Sequence, residues 1–148
     1  MPRAVVIRET GGPEVMKVAN IAAPKPPGPG QVLIRHTAIG LNYMDIYYRS
    51  GLYKAPRLPM VPGMEACGVI EAVGEGVDMK PGNRVVYATT QTGAYCEQRL
   101  VNERHLIGVP DEISDEVAAA VFAKGLTAHY LLFRTYHVKK GDTILIHA

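Results

Sequence analysis

The stretch at residues 62–77, Pro-Gly-Met-Glu-Ala-Cys-Gly-Val-Ile-Glu-Ala-Val-Gly-Glu-Gly-Val, limits what this chain can fold into more than any other. Proline fixes φ and glycine adopts angles closed to other residues, so Pro62 and Gly63 predict a tight turn. Val69, Ile70, Ala72 and Val73 are compact and apolar and predict a strand after it. The glycines at 68, 74 and 76 suit a strongly bent strand that closes a small barrel and ends in a Gly-Glu-Gly turn. Glu65 stands at the head of this apolar run. A carboxylate there needs a cation or backbone donors, so structural pairing is its expected role.

The remaining punctuation is that of a turn-rich β domain. Residues 3–8 and 16–21 predict an antiparallel hairpin about Gly11-Gly12-Pro13-Glu14, and a proline-rich connector at 24–30 predicts a surface crossover. Residues 31–38 alternate as a strand, in which His36 is expected to be a satisfied strand histidine rather than a ligand. Further strands are expected at 84–87, 94–101 and 105–109. Seven or eight strands indicate a partly open barrel. A short helix begins at Asn42, a good N-cap with Asp45 three residues on, and ends at Gly51. Ser114 caps a second helix that should end around Lys124-Gly125. A third, over 126–137, is expected to bury Leu126, Tyr130, Phe133 and His137 on one face. Residues 143–148 are almost wholly apolar, as in a strand entering a parallel sheet.

A length of 148 residues fits one domain, and a net charge of +2 with dispersed basic residues argues against a nucleic-acid partner. No apolar run is long enough to span a membrane, and nothing resembles a signal peptide, so a cytoplasmic protein is expected. Cys67 and Cys96 fit no metal spacing and are expected to be buried thiols.

Five segments in order carry a family resemblance: Gly-Gly-Pro-Glu-Val at 11–15, Arg-Ser-Gly-Leu-Tyr at 49–53, Gly-Asn-Arg-Val-Val-Tyr at 82–87, Gly-Ala-Tyr at 93–95 and Lys-Gly-Leu-Thr at 124–127. Together they resemble the N-terminal, chaperonin-10-like (GroES-like) half of the zinc-independent NADPH:quinone reductases, in the medium-chain dehydrogenase/reductase superfamily. Asn83 stands where aspartate is usual. The resemblance implies a mainly β fold, with residues 1–124 as a GroES-like barrel forming the substrate half. Residues 125–148 would then be a connecting helix and the first strand of a Rossmann domain, whose Gly-rich phosphate loop is not in this sequence. It also implies NADPH as hydride donor, a quinone or α,β-unsaturated carbonyl as acceptor, and a homodimer for the full-length enzyme.

In the superfamily's alcohol dehydrogenases three protein ligands hold a catalytic zinc, and their positions match Asn42, Met64 and Lys124. An amide, a thioether and an ammonium are poor zinc ligands, so no metal is expected. The resemblance places Asn42, Lys124 and Thr127 at the nicotinamide side of the cleft, and Tyr47 and Tyr53 as donors to the substrate carbonyl. Each has a plainer role open to it: Asn42 as helix cap, the tyrosines as interdomain packing, Thr127 as a helix-start hydroxyl, Lys124 as a surface lysine. The other functions weighed are an alkenal or enoyl double-bond reductase and a non-enzymatic module, co-chaperonin-like or nucleic-acid-binding. A co-chaperonin has no use for the helices after Ser114, and a nucleic-acid binder should carry a clustered basic face.

Overall fold

The computed structural model describes residues 1–55 and 57–147. Strands β1 (Arg3–Val6) and β2 (Lys17–Asn20) form a two-stranded antiparallel ribbon, with a single 3-10 turn at Pro13–Val15 in the loop between them. Strands β3 (Gln31–Gly40), β4 (Glu65–Val73), β5 (Arg84–Ala88), β6 (Gln98–Asn102) and β7 (Leu106–Gly108) build a five-stranded antiparallel sheet in the order β6-β3-β4-β5-β7. The fold is mainly β, and among the described residues the sheet does not close on itself. The stretch at 62–77 supplies β4, the central strand, as its composition predicts.

Side chains on a strand alternate between faces, and β4 is covered on both. Ala66 and Ile70 join Val32, Ile34, Val85, Tyr87, Ala94, Val101 and Leu106 in the main core. Cys67 faces the other way and packs with Val86, Ala118 and Ala119. Two-sided burial is why this strand reads as a continuous apolar run. Bulges in the β3–β4 ladder at Leu33/Ile34 and His36/Ala38 bend the sheet, consistent with a strand that curves toward closure.

The segment expected as a strand over 94–101 does so only from Gln98. Before that, the chain turns aside to receive the ribbon: Val5 N–H donates to the Tyr95 carbonyl at 2.8 Å and Glu97 N–H to the Arg3 carbonyl at 2.9 Å. The same loop is fixed from below by His36. Its Nδ1 donates to the Cys96 carbonyl, which can only accept, at 2.7 Å, so Nε2 is left to accept from the Tyr87 hydroxyl at 2.9 Å. Arg99 donates to that hydroxyl in turn and to the carbonyls of Gln91 and Thr92.

Helix α1 (Tyr43–Ser50) starts after Asn42 and ends at Gly51, as its caps predict. Helix α2 (Asp115–Tyr130) begins at Ser114, whose Oγ accepts the Val117 N–H at 3.3 Å. Two expectations need correction here. The break at Lys124-Gly125 is not formed; α2 runs through it and continues as a π-helical turn at Leu131–Thr135. One glycine in a helix interior costs about 1 kcal/mol, too little to stop a helix whose flanking residues favour it. The face expected to be buried after it is open instead, with Leu126, Tyr130 and Phe133 each more than half exposed. Residues 143–147 likewise form no strand, and Leu145 is 82% exposed, because no described strand lies beside them to supply a ladder. Ala148, the last residue of that expected strand, lies outside the described residues.

Candidate functional site

Gly40 ends β3 directly opposite Glu65, the first residue of β4. A side chain at Gly40 would run into the Ala119 carbonyl of α2 and the Glu65 carboxylate, so its absence lets the helix settle against the strand ends. Glu65 is fully buried in the space this creates. Its Oε1 accepts the Ala123 N–H at 2.5 Å. Its Oε2 accepts from the Lys124 ammonium at 2.6 Å and from the Asn42 amide nitrogen at 3.0 Å. The carboxylate is thus paired with a cation and with backbone, as its place in the sequence predicts. Its two side-chain partners are both residues singled out for the cleft.

Asp45 forms a second buried node beside it. Its carboxylate accepts the Asn42 N–H at 2.9 Å, the Gly63 N–H at 3.2 Å and the Tyr95 hydroxyl at 3.2 Å. Asp45 therefore closes the N-terminus of α1 and ties it to the turn that launches β4, while the Asn42 amide is turned to Glu65. Burial pushes the Asp45 carboxyl above its ordinary range, against the pull of these donors and of the nearby Lys124 charge. The Tyr95 hydroxyl is pushed up as well, by burial and then by Asp45.

Along α1 the tyrosines gather. The Tyr47 and Tyr53 rings lie 5.2 Å apart between centroids, Tyr43 stands 6.2 Å from Tyr47, and the Tyr53 N–H donates to the Tyr47 carbonyl at 3.0 Å. Tyr53 keeps 45% of its surface in solvent, and Tyr47 is half-buried. Thr127, one turn beyond Lys124 on α2, donates its hydroxyl back to the Ala123 carbonyl at 2.8 Å and is exposed. The structure thus joins Asn42 to Lys124 and Tyr47 to Tyr53, with α1 linking the two pairs. It joins Thr127 to them only through α2. Sequence reasoning missed Asp45 as a buried node. It also missed that Glu65 is the common partner of Asn42 and Lys124, although a lone carboxylate heading an apolar strand was the available signal.

The groups that the resemblance sets at the zinc-ligand positions, Asn42, Met64 and Lys124, do not fit a metal. The Lys124 nitrogen is an ammonium with no lone pair to give, and the Asn42 amide presents its NH₂ to Glu65. Met64 offers a thioether, a soft and weak ligand for zinc. The Glu65 carboxylate is already neutralised by Lys124, and that of Asp45 is taken up by the Asn42 and Gly63 N–H groups and the Tyr95 hydroxyl.

Over residues 28–144 the sequence matches the family model described as the alcohol dehydrogenase GroES-like domain. A quinone oxidoreductase of Pseudomonas aeruginosa is 49% identical over all of this chain and 46% of its own length. A 2-haloacrylate reductase of Burkholderia is 43% identical, again over all of this chain and 46% of the relative. The crystal structure of an Escherichia coli quinone oxidoreductase complexed with NADPH superposes with a TM-score of 0.88 at 41% identity, covering 93% of this chain and 42% of that one. The chain therefore spans about half the length of the relatives it matches. With the family model covering most of the sequence and the observed sheet and helices superposing on a quinone oxidoreductase, this chain belongs to the alcohol dehydrogenase GroES-like domain family, within the medium-chain dehydrogenase/reductase superfamily.

Proposed function

We propose that this chain is the substrate half of an oxidoreductase that passes hydride from NADPH to a quinone without zinc. The observation that carries this reading is the sharing of one buried Glu65 oxygen by Asn42 and Lys124, two residues that the resemblance equates with metal ligands of alcohol dehydrogenases. An alcohol needs its oxygen held as an alkoxide, a task suited to a Lewis acid. A quinone is already electrophilic, so placement and hydrogen-bond donors for the oxygen that gains charge are enough. The relatives support the same class, since they include quinone oxidoreductases, one of them solved with NADPH.

Residues 1–124 then form the acceptor side, and residues 125–148 lead into a nucleotide-binding half. NADPH, bound mainly by that half, supplies the hydride. Asn42, Lys124 and Thr127 face the nicotinamide, with the two ammonium protons not used by Glu65 free to donate. Tyr47 and Tyr53, whose rings lie side by side, donate to the acceptor carbonyl. A reducing cytoplasm suits the two free, buried thiols, and no described helix is long and apolar enough to cross a membrane. The 2-haloacrylate reductase among the relatives favours a second acceptor class, activated carbon–carbon double bonds, on the same donor arrangement.

The test is a fusion of residues 1–148 to the nucleotide-binding half of the Pseudomonas aeruginosa relative, assayed for NADPH oxidation with a quinone and with an enone. Turnover with the quinone is expected, and no turnover with either acceptor sinks the reading. In the same fusion Tyr53→Phe should lower kcat about 10-fold, a loss of about 1.4 kcal/mol of transition-state stabilisation. An unchanged kcat would reassign the hydroxyl to packing.

A further inference from the structure

We infer that Glu65 is a positioning residue, a buried clamp that presents the Asn42 amide and the Lys124 ammonium to the cleft as one preset unit. The catalytic part of this inference rests on the function proposed above; the clamp itself does not. One carboxylate oxygen is anchored to the backbone of α2 through Ala123, and a backbone N–H cannot rotate away. That anchor fixes the direction of the other oxygen, which takes both side-chain donors. Glu65 has no exposed surface, whereas the Lys124 side chain keeps 44% of its own, so the pair is buried on its carboxylate side and reaches solvent on its lysine side. The three N–H donors of the ammonium include one for Glu65, and the others are left for an oxygen of a bound molecule.

A free lysine on its four-carbon stem samples many rotamers, and a site that uses it must order it at each binding event. Holding it beforehand removes that cost and keeps the donor where charge will develop. An ion pair serving only to fasten α2 to β4 would need the lysine alone. Here the same oxygen also takes Asn42, the residue that opens α1, so the helix bearing the tyrosines and the helix bearing Lys124 and Thr127 are aligned through one atom. Gly40 gives the carboxylate its room, and Asp45 holds the Asn42 backbone from the other side.

Two arms test the clamp, both with Glu65→Gln, which keeps the shape but points an NH₂ group at donors. In the chain itself, reductive methylation followed by mass spectrometry reads how free each lysine is. Lys124 should react more slowly than the exposed Lys25 and Lys80, and in Glu65→Gln its rate should rise about 10-fold toward theirs. Glu65→Asp, charged but one methylene shorter, should fall between them and serves if the glutamine variant does not fold. Equal Lys124 rates in wild type and variants would overturn the clamp whatever the activity.

In the fusion, Glu65→Gln should lower kcat by about 10- to 100-fold at a temperature where both proteins are folded. The double variant with Lys124→Met should be no worse than the poorer single variant, because both break the same unit. Unchanged kcat in a folded Glu65→Gln, or losses that multiply, would overturn the positioning role and leave a fastening pair. A wild-type fusion without turnover would sink the proposed function, and the methylation rates would still decide the clamp.

Discussion

Replacing Gly40 with alanine is expected to destabilise the chain by about 3 kcal/mol, the upper part of the range for overpacking a closed site. The added methyl would meet the Ala119 carbonyl, part of a helix backbone, and the Glu65 carboxylate, which is held by three donors. Neither can move aside as the tip of a flexible side chain would. Relief requires α2 to lift from the strand ends, which breaks the Ala123 and Lys124 bonds to Glu65 and exposes Ala118 and Ala119. Gly76→Ala provides the contrast. Its backbone is left-handed, with φ 75°, but nothing lies within 4 Å of the added methyl. Only the conformational term applies there, about 1–2 kcal/mol. Urea unfolding midpoints of the two variants should separate accordingly, and equal losses would mean that α2 does not rest on Gly40.

Acid should also unfold this protein early, with His36 as the main cause. Burial depresses its pKa from 6.5 to about 4, and the nearby Arg99 charge acts in the same direction, outweighing the bond to the Cys96 carbonyl. Between these two values the unfolded chain binds a proton that the folded chain refuses. Stability from this group is therefore complete above pH 6.5 and is lost as pH falls toward 4, by about 3 kcal/mol at most. Protonation would set a new Nε2 donor against the Tyr87 hydroxyl, which already receives Arg99. The loop at Gln91 and Thr92 and the docked ribbon depend on that chain of bonds. Asp45 works in the opposite sense, since a carboxyl pushed up by burial favours the folded state as pH falls. Denaturation curves from pH 7.5 to 4 should slope downward, and His36→Gln should flatten the slope. A flat wild-type curve would mean the imidazole is free to protonate in the fold.

Local chemistry made much of this structure legible in the sequence. Ser114 and Asn42 open their helices, Gly51 closes α1, and the run after Pro62-Gly63 is the central strand. What escaped was set by distance along the chain or by missing neighbours. Glu65 meets Ala123 and Lys124 across 58 and 59 positions, and no local pattern records such a bond. Gly125 looked like a stop because glycine often is one, but a stop needs a left-handed residue there and Gly125 is not one. The apolar run at 143–147 has strand composition without a strand beside it, and composition alone cannot build a ladder. Tyr47 and Tyr53 stood out in the sequence only through the family resemblance, and their ring contacts with each other, Tyr43 and Tyr48 join them along α1.

The sharpest measurement is the zinc content and the NADPH-dependent quinone turnover of the fused protein, before and after treatment with a strong chelator. With an ammonium and an amide gathered on Glu65, zinc should be far below one per chain and turnover should be unchanged by chelation. Stoichiometric zinc, with turnover lost on its removal and restored on its return, would contradict the replacement of a metal by an ion pair.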